Sequence, residues 1–170
     1  EINNKNQSKN IVKNIDLIYQ SALGSIVHYY LEHSLFEPPI KSIETKFLEL
    51  GLPQRLIQSY SSKVCRLLVN TKRDKDFDWL FMKRESTEVE SEYSNHTKTV
   101  IIDRLFIDNG ILWIIDFKTA TLNEDESINS FIERQKHSHH KQLLEYQEIL
   151  EEVFRLPSRS ALYCPSVSQL

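Results

Sequence analysis

The chain has 170 residues, 40% of them hydrophobic and 26% charged, with a formal net charge of −3, which fits one globular domain with a substantial core and excludes disordered and fibrous classes. No stretch approaches the roughly 18 uncharged apolar residues of a membrane span, no signal peptide opens the chain, and the acidic balance means that any nucleic-acid binding must be local. Two cysteines, Cys65 and Cys164, are too few for a disulfide framework or an iron–sulfur centre, and three scattered glycines cannot build a phosphate-cradling loop, which argues for a reducing setting and against an ATP or NAD site.

Residues 1–10 form a polar run rich in Asn and Lys that reads as a linker, and with no initial Met the domain reads as part of a longer protein. From Ile11 to about Phe36, apolar residues recur in steps of three and four through Ile15, Ile18, Ala22, Ile26 and Tyr30, the stripe of a long helix ended by Pro38-Pro39. Lys41 to Leu50 predicts a short helix and Pro53 to Val69 another, with Leu56, Ile57, Tyr60, Val64, Leu67 and Leu68 inward. Lys63 to Arg84 holds seven basic residues against three acidic ones, either a solvated face or a patch that tracks phosphates. From Thr87 the period becomes two, predicting strands over Thr87–Tyr93, Thr99–Ile107 and Ile111–Phe117. A helix from Ile132 to Phe154 comes next, stopped by Pro157, and then a short strand from Ala161 to Cys164. One domain over 11–170 results, mainly helical over 11–84, then a β-meander, a helix and a final strand over 85–170. That order suits an α/β sandwich around a mixed sheet.

Asn109-Gly110 is the sequence of a two-residue type I′ hairpin turn. If Asp108 pairs with Ile111, each step back along one strand meets a step forward along the other, and Asp103 faces Asp116, with Lys118 on the same side. Ile102, Phe106, Trp113, Ile115 and Phe117 would line one face; Ile101, Leu105, Ile107, Leu112 and Ile114 would accompany the charged residues on the other. Two opposed carboxylates in a covered sheet are costly unless one is protonated or a cation lies between them. Carboxylates are hard oxygen ligands suited to Mg²⁺ or Mn²⁺. A metal and an ammonium side by side are what phosphodiester hydrolysis needs, the alternative being a structural salt bridge from Lys118 to one aspartate.

Here the sequence resembles the PD-(D/E)XK nuclease superfamily, and more narrowly the RecB-type nuclease domain at the C-terminal end of AddA- and RecB-like helicase–nucleases. Ile102-Asp103-Arg104-Leu105 resembles that family's IDR strand and Ile114-Ile115-Asp116-Phe117-Lys118-Thr119 its IIDYKT strand. Gly24-Ser25-Ile26-Val27-His28 with Leu31-Glu32 resembles the helical GxxxHxxLE signature, and Gln142, Leu143 and Tyr146 the QLxxY helix. The resemblance implies a restriction-endonuclease-like three-layer α/β sandwich with an N-terminal helical portion. It implies Asp103 and Asp116 as metal ligands, with His28 and Glu88 completing the set, and Lys118 as the catalytic lysine. Gln142 and Tyr146, at i and i+4 on one helix face, would position phosphate or brace Lys118, and Arg104 is a further expected DNA-positioning residue. Glu90 and Glu92 compete with Glu88 for the acidic position, and His137, His139 and His140 form a rival cluster expected to be solvent-exposed.

The activity that the resemblance implies is that of a Mg²⁺-dependent deoxyribonuclease, with Mn²⁺ able to substitute and no iron–sulfur cluster. It would cleave single-stranded DNA fed by a helicase motor in recombination and double-strand-break repair, in a bacterial cytoplasm at the nucleoid. The rivals are an inactive nuclease fold serving a structural or DNA-guiding role, and a stand-alone endonuclease.

Overall fold

The computed structural model describes residues 2–84 and 86–167, with side chains from residue 15 on. Four helices, α1 (Ile2–Glu32), α2 (Ile40–Glu49), α3 (Gln54–Arg73) and the short α4 (Asp78–Phe81), come before the strands β1 (Glu88–Ser94), β2 (Thr99–Asp108) and β3 (Ile111–Phe117). The long helix α5 (Ile128–Phe154) then crosses over to β4 (Ser158–Tyr163). The sheet runs β1-β2-β3-β4, antiparallel through β3, with β4 parallel to β3. A parallel pair needs a crossover of a dozen residues or more, and α5 supplies it.

Local signals set most boundaries. Pro39 and Pro53 stand at the N-caps of α2 and α3, where a fixed φ and a missing N–H carry no cost. The Ser127 hydroxyl accepts a hydrogen bond from the Ser130 N–H at the start of α5, and Arg155 ends that helix in the left-handed region. Asn109 and Gly110 take φ of 50° and 75°, as the hairpin turn requires. The turn delivers the expected register, Asp108 against Ile111 through Arg104 against Ile115.

The helices sandwich the sheet. One core joins α1–α4 to the face carrying Phe106, Ile115 and Phe117; the other joins Tyr146, Ile149 and Leu150 of α5 to Leu105, Leu112 and Ile114. β2 and β3 are covered on both sides, which is why their sequences read as nearly continuous apolar runs. These three layers are the restriction-endonuclease-like arrangement.

The backbone of residues 2–10, expected as linker, is helical and continuous with the rest of α1. Two expectations are corrected. The expected stripe of α1 is buried only in its second half: Ile15 and Ile18 are exposed, whereas Leu23, Ile26, Val27, Tyr30 and Leu31 are buried. The side chain of Ile11 lies outside the described residues. Ile102 packs with Leu105 in the α5-side core rather than with Phe106, and Ile101 is exposed, so the alternation of β2 slips by one at Asp103. Helix α4 has no signal in the sequence, because four residues carry no periodicity.

Candidate active site

The slip at Asp103 builds the site. The β2–β3 pairing stops at Arg104 and Ile115. Beyond it the Phe117 N–H donates to Oδ2 of Asp103 at 2.7 Å, a side chain taking the place of a ladder partner. Across β1, Val89 and Ser91 pair with Arg104 and Ile102 while Glu90 between them stands at a φ of 46°. The register is the same on both sides of that point, so no residue is inserted; both strands distort together. Such distortions re-aim a side chain beside a site. Asp103 is not directly opposed to Asp116 as an alternating ladder would place it. Its Oδ2 lies 3.5 Å from Nδ1 of His28 on α1.

Helix α1 adds a second carboxylate. Glu32 lies four residues after His28, on the same helical face, and His28, Glu32 and Asp103 offer ligand atoms all within 4.8 Å of one another. Glu32 is only 6% exposed. Burial, with the charges of Asp103 and Glu90, pushes its carboxyl up to about 7. Burial alone would lower the His28 imidazole, but the hydrogen bond and charge of Asp103, with the charges of Glu32 and Asp116, outweigh it and raise it. A cluster that holds its protons this tightly is short of positive charge.

Asp116, buried at 4% exposure, serves the other half. Lys118 Nζ lies 2.8 Å from its Oδ2, yet that oxygen makes no hydrogen bond of good geometry. Burial raises the Asp116 carboxyl, Lys118 opposing and Asp103 assisting. Lys118 Nζ also donates to Oε1 of Gln142 at 3.4 Å, and the Gln142 amide donates to the Tyr146 hydroxyl at 2.6 Å. His139, three residues before Gln142, meets the same Oε1 at 3.2 Å. Gln142 and Tyr146 therefore form a brace for Lys118. Gly24 permits the close seating of α1: a Cβ there would stand 3.3 Å from Oγ1 of Thr119, the residue after the lysine.

The residues fit a divalent cation. An imidazole and two carboxylates converge, and a buried carboxylate oxygen without a good hydrogen bond stands by on Asp116. Oxygen-rich sets suit Mg²⁺ and Mn²⁺, and the imidazole favours the latter.

Two expected site residues are placed elsewhere. Glu88 is exposed and accepts a hydrogen bond from the Tyr93 hydroxyl, apart from the His28–Glu32–Asp103 group; Glu90 is the β1 carboxylate whose charge reaches Glu32. Arg104 is buried, its guanidinium donating to the carbonyls of Leu80 at 2.8 Å and Glu32 at 3.1 Å. It ties α4 and the end of α1 to β2 rather than offering its donors to DNA, and burial with the neighbouring charge of Arg84 lowers it to about 10. Glu32 is the residue missing from the ligand set expected on sequence grounds, although its place four after His28 is the available signal. His137 and His140 are exposed as expected. Within Lys63 to Arg84, Lys72 pairs with Glu37, Lys75 with Asp78, and Arg84 with nearby carbonyls and Asp108.

A model of the PD-(D/E)XK nuclease superfamily matches residues 8–167. No curated protein matches the chain. A match over almost the whole length coincides with a sheet that splays at Asp103 and gathers a histidine, three carboxylates and a braced lysine, and the chain belongs to the PD-(D/E)XK nuclease superfamily.

Proposed function

We propose that the chain is a metal-dependent deoxyribonuclease that hydrolyses phosphodiester bonds of single-stranded DNA supplied by a helicase motor, in recombination and double-strand-break repair in the bacterial cytoplasm. Its superfamily is one of divalent-metal-dependent nucleases. The observation that carries the reading is the His28–Glu32–Asp103 group set beside the Lys118–Asp116 pair. The DNA and helicase parts rest on the RecB-like run of motifs and on an acidic net charge, which suits DNA affinity supplied by another domain. No helix among the described residues is long and apolar enough to cross a membrane.

His28, Glu32 and Asp103 would hold the cation, with Asp116 at its edge. Bound there, a divalent ion polarises a phosphoryl oxygen and acidifies a water. Lys118 carries three N–H donors; Gln142 accepts from one and Asp116 holds the ammonium as an ion pair, so donors remain for an incoming water or phosphate oxygen. Asp116 fixes the ammonium electrostatically, and the Gln142–Tyr146 pair fixes its direction.

The test is cleavage of labelled linear single-stranded DNA with Mg²⁺, Mn²⁺ or EDTA by the wild type, Lys118→Ala and Asp103→Ala, alongside Mn²⁺ titration. Metal-dependent cutting by the wild type, lost in both variants, is expected, with Mn²⁺ binding lost only in Asp103→Ala. Cutting that survives Lys118→Ala, or a wild type that binds no Mn²⁺, would overturn the assignment.

A further inference from the structure

A cavity of about 670 Å³ opens between the first half of α5 and β4, the edge strand of the sheet. Its volume lies within the roughly 300–1,000 Å³ of small-molecule pockets. Its walls are largely apolar, including Ile128, Phe131, Leu143 and Leu162, with the exposed ring of Phe77 at one side. Into this surface comes Gln135, a carboxamide 5% exposed that makes no hydrogen bond among the described residues. Its amide atoms are not among the buried unpartnered ones and so reach the solvent in the cavity; an entering group with a complementary edge exchanges that water for a direct hydrogen bond, a net gain of about 0.5–1.5 kcal/mol. The other buried polar pair on the wall is already satisfied, since the Tyr163 hydroxyl donates to Asp74 at 3.2 Å.

The cavity adjoins the proposed active site. The Lys118 backbone N–H donates to the Tyr163 carbonyl at 2.9 Å, and Tyr163 and Cys164 both line the cavity. Resting on the nuclease reading above, we propose that this cavity is a nucleobase pocket holding one unstacked base of the substrate strand beside the bond to be cut. A glutamine amide offers a donor and an acceptor together, the pair that matches an adenine edge. The apolar walls and Phe77 suit the π-face that every base carries. A base inside a duplex reaches such a pocket only after unpairing, at a cost of a few kcal/mol, so the pocket favours single strands.

The experiment is a nuclear magnetic resonance titration of the wild-type chain in EDTA, following the side-chain amide of Gln135. The probes are dAMP, dCMP, dGMP and TMP, with deoxyribose 5-phosphate as the probe lacking a base. A saturable shift with at least one nucleotide and none with the sugar phosphate is expected. Gln135→Leu, which keeps the volume and removes the amide, is expected to keep its melting temperature and weaken that nucleotide about tenfold, the worth of one hydrogen bond, as read in both forms from the backbone amides of Leu162 and Cys164 on the cavity wall. Silence with all four nucleotides at millimolar concentration, or an equal shift with deoxyribose 5-phosphate, would overturn the pocket. DNA cleavage by a chain whose Gln135 stays silent refutes the pocket alone. A nucleotide-specific shift without any metal-dependent cleavage refutes the catalytic reading and leaves the pocket.

Discussion

Glu32 shows how one buried carboxyl couples stability to metal binding. The usual carboxyl value is 4.5 and the folded chain raises it to about 7, so the folded state holds the proton more tightly than the unfolded state. The associated stability is fully present below 4.5 and is lost as pH rises through about 7, a difference on the order of 3 kcal/mol at most. Glu32→Gln mimics the protonated form. In EDTA at pH 8 it is expected to raise the melting temperature by several degrees, with little change at pH 5. With Mn²⁺ present the order should reverse, because the wild type gains stability from a ligand that the variant has lost. Scanning calorimetry at the two pH values, with and without Mn²⁺, checks both signs; a lower melting temperature for Glu32→Gln at pH 8 in EDTA would show the ionised carboxylate to be stabilising. Arg104 carries the opposite lesson at the same scale. It lies in the strand that resembles the nuclease motif, yet its partners are main-chain carbonyls from α1 and α4, and nothing in its neighbours along the chain announces them.

At the scale of elements, the site depends on how closely α1 seats against the end of β3. Gly24 allows it, since Thr119 Oγ1 would lie 3.3 Å from a Cβ at that position. An alanine in a helix interior is worth up to about 1 kcal/mol over glycine, and here it would push against the residue next to Lys118. Gly24→Ala is therefore expected to hold or raise thermal stability while lowering kcat severalfold, through displacement of His28 relative to Lys118. Adding Thr119→Ala removes the obstructing hydroxyl and should restore most of the rate. Steady-state kinetics on the two variants test this, and an unchanged kcat in Gly24→Ala would remove close seating from the account. The hairpin register is readable in the sequence because the Asn109-Gly110 turn is a local signal. The slip at Asp103 is not, because it arises where an aspartate side chain substitutes for a ladder bond to a residue on another strand.

For the whole molecule, the net charge of −3 means that DNA contact must be local. Several cations of the Lys63 to Arg84 segment are engaged by the protein, but Arg66, Arg73 and Lys83 are exposed. Replacing these three with Gln is expected to weaken single-stranded DNA binding and to reduce the dependence of log K on log salt by up to about two, at roughly 0.7 per phosphate contact. The rate at saturating DNA should stay the same. Fluorescence anisotropy across a salt series measures the slope, and an unaltered slope would assign the segment to solvation alone.

Chain order alone determined the helical first half, the meander and the crossover to a last strand, and singled out Asp103, Asp116 and Lys118 as candidates. Those features rest on periodicity, prolines, a turn dipeptide and residue types, all of which act within a few positions of one another. Only the tertiary structure decided which way each carboxylate turns, that Glu32 joins His28 and Asp103, that Glu88 stands apart, and that Arg104 is structural. The physical reason is range. A buried polar group takes its role from the partner that arrives beside it, and for Arg104 that partner, the carbonyl of Glu32, comes from 72 positions away.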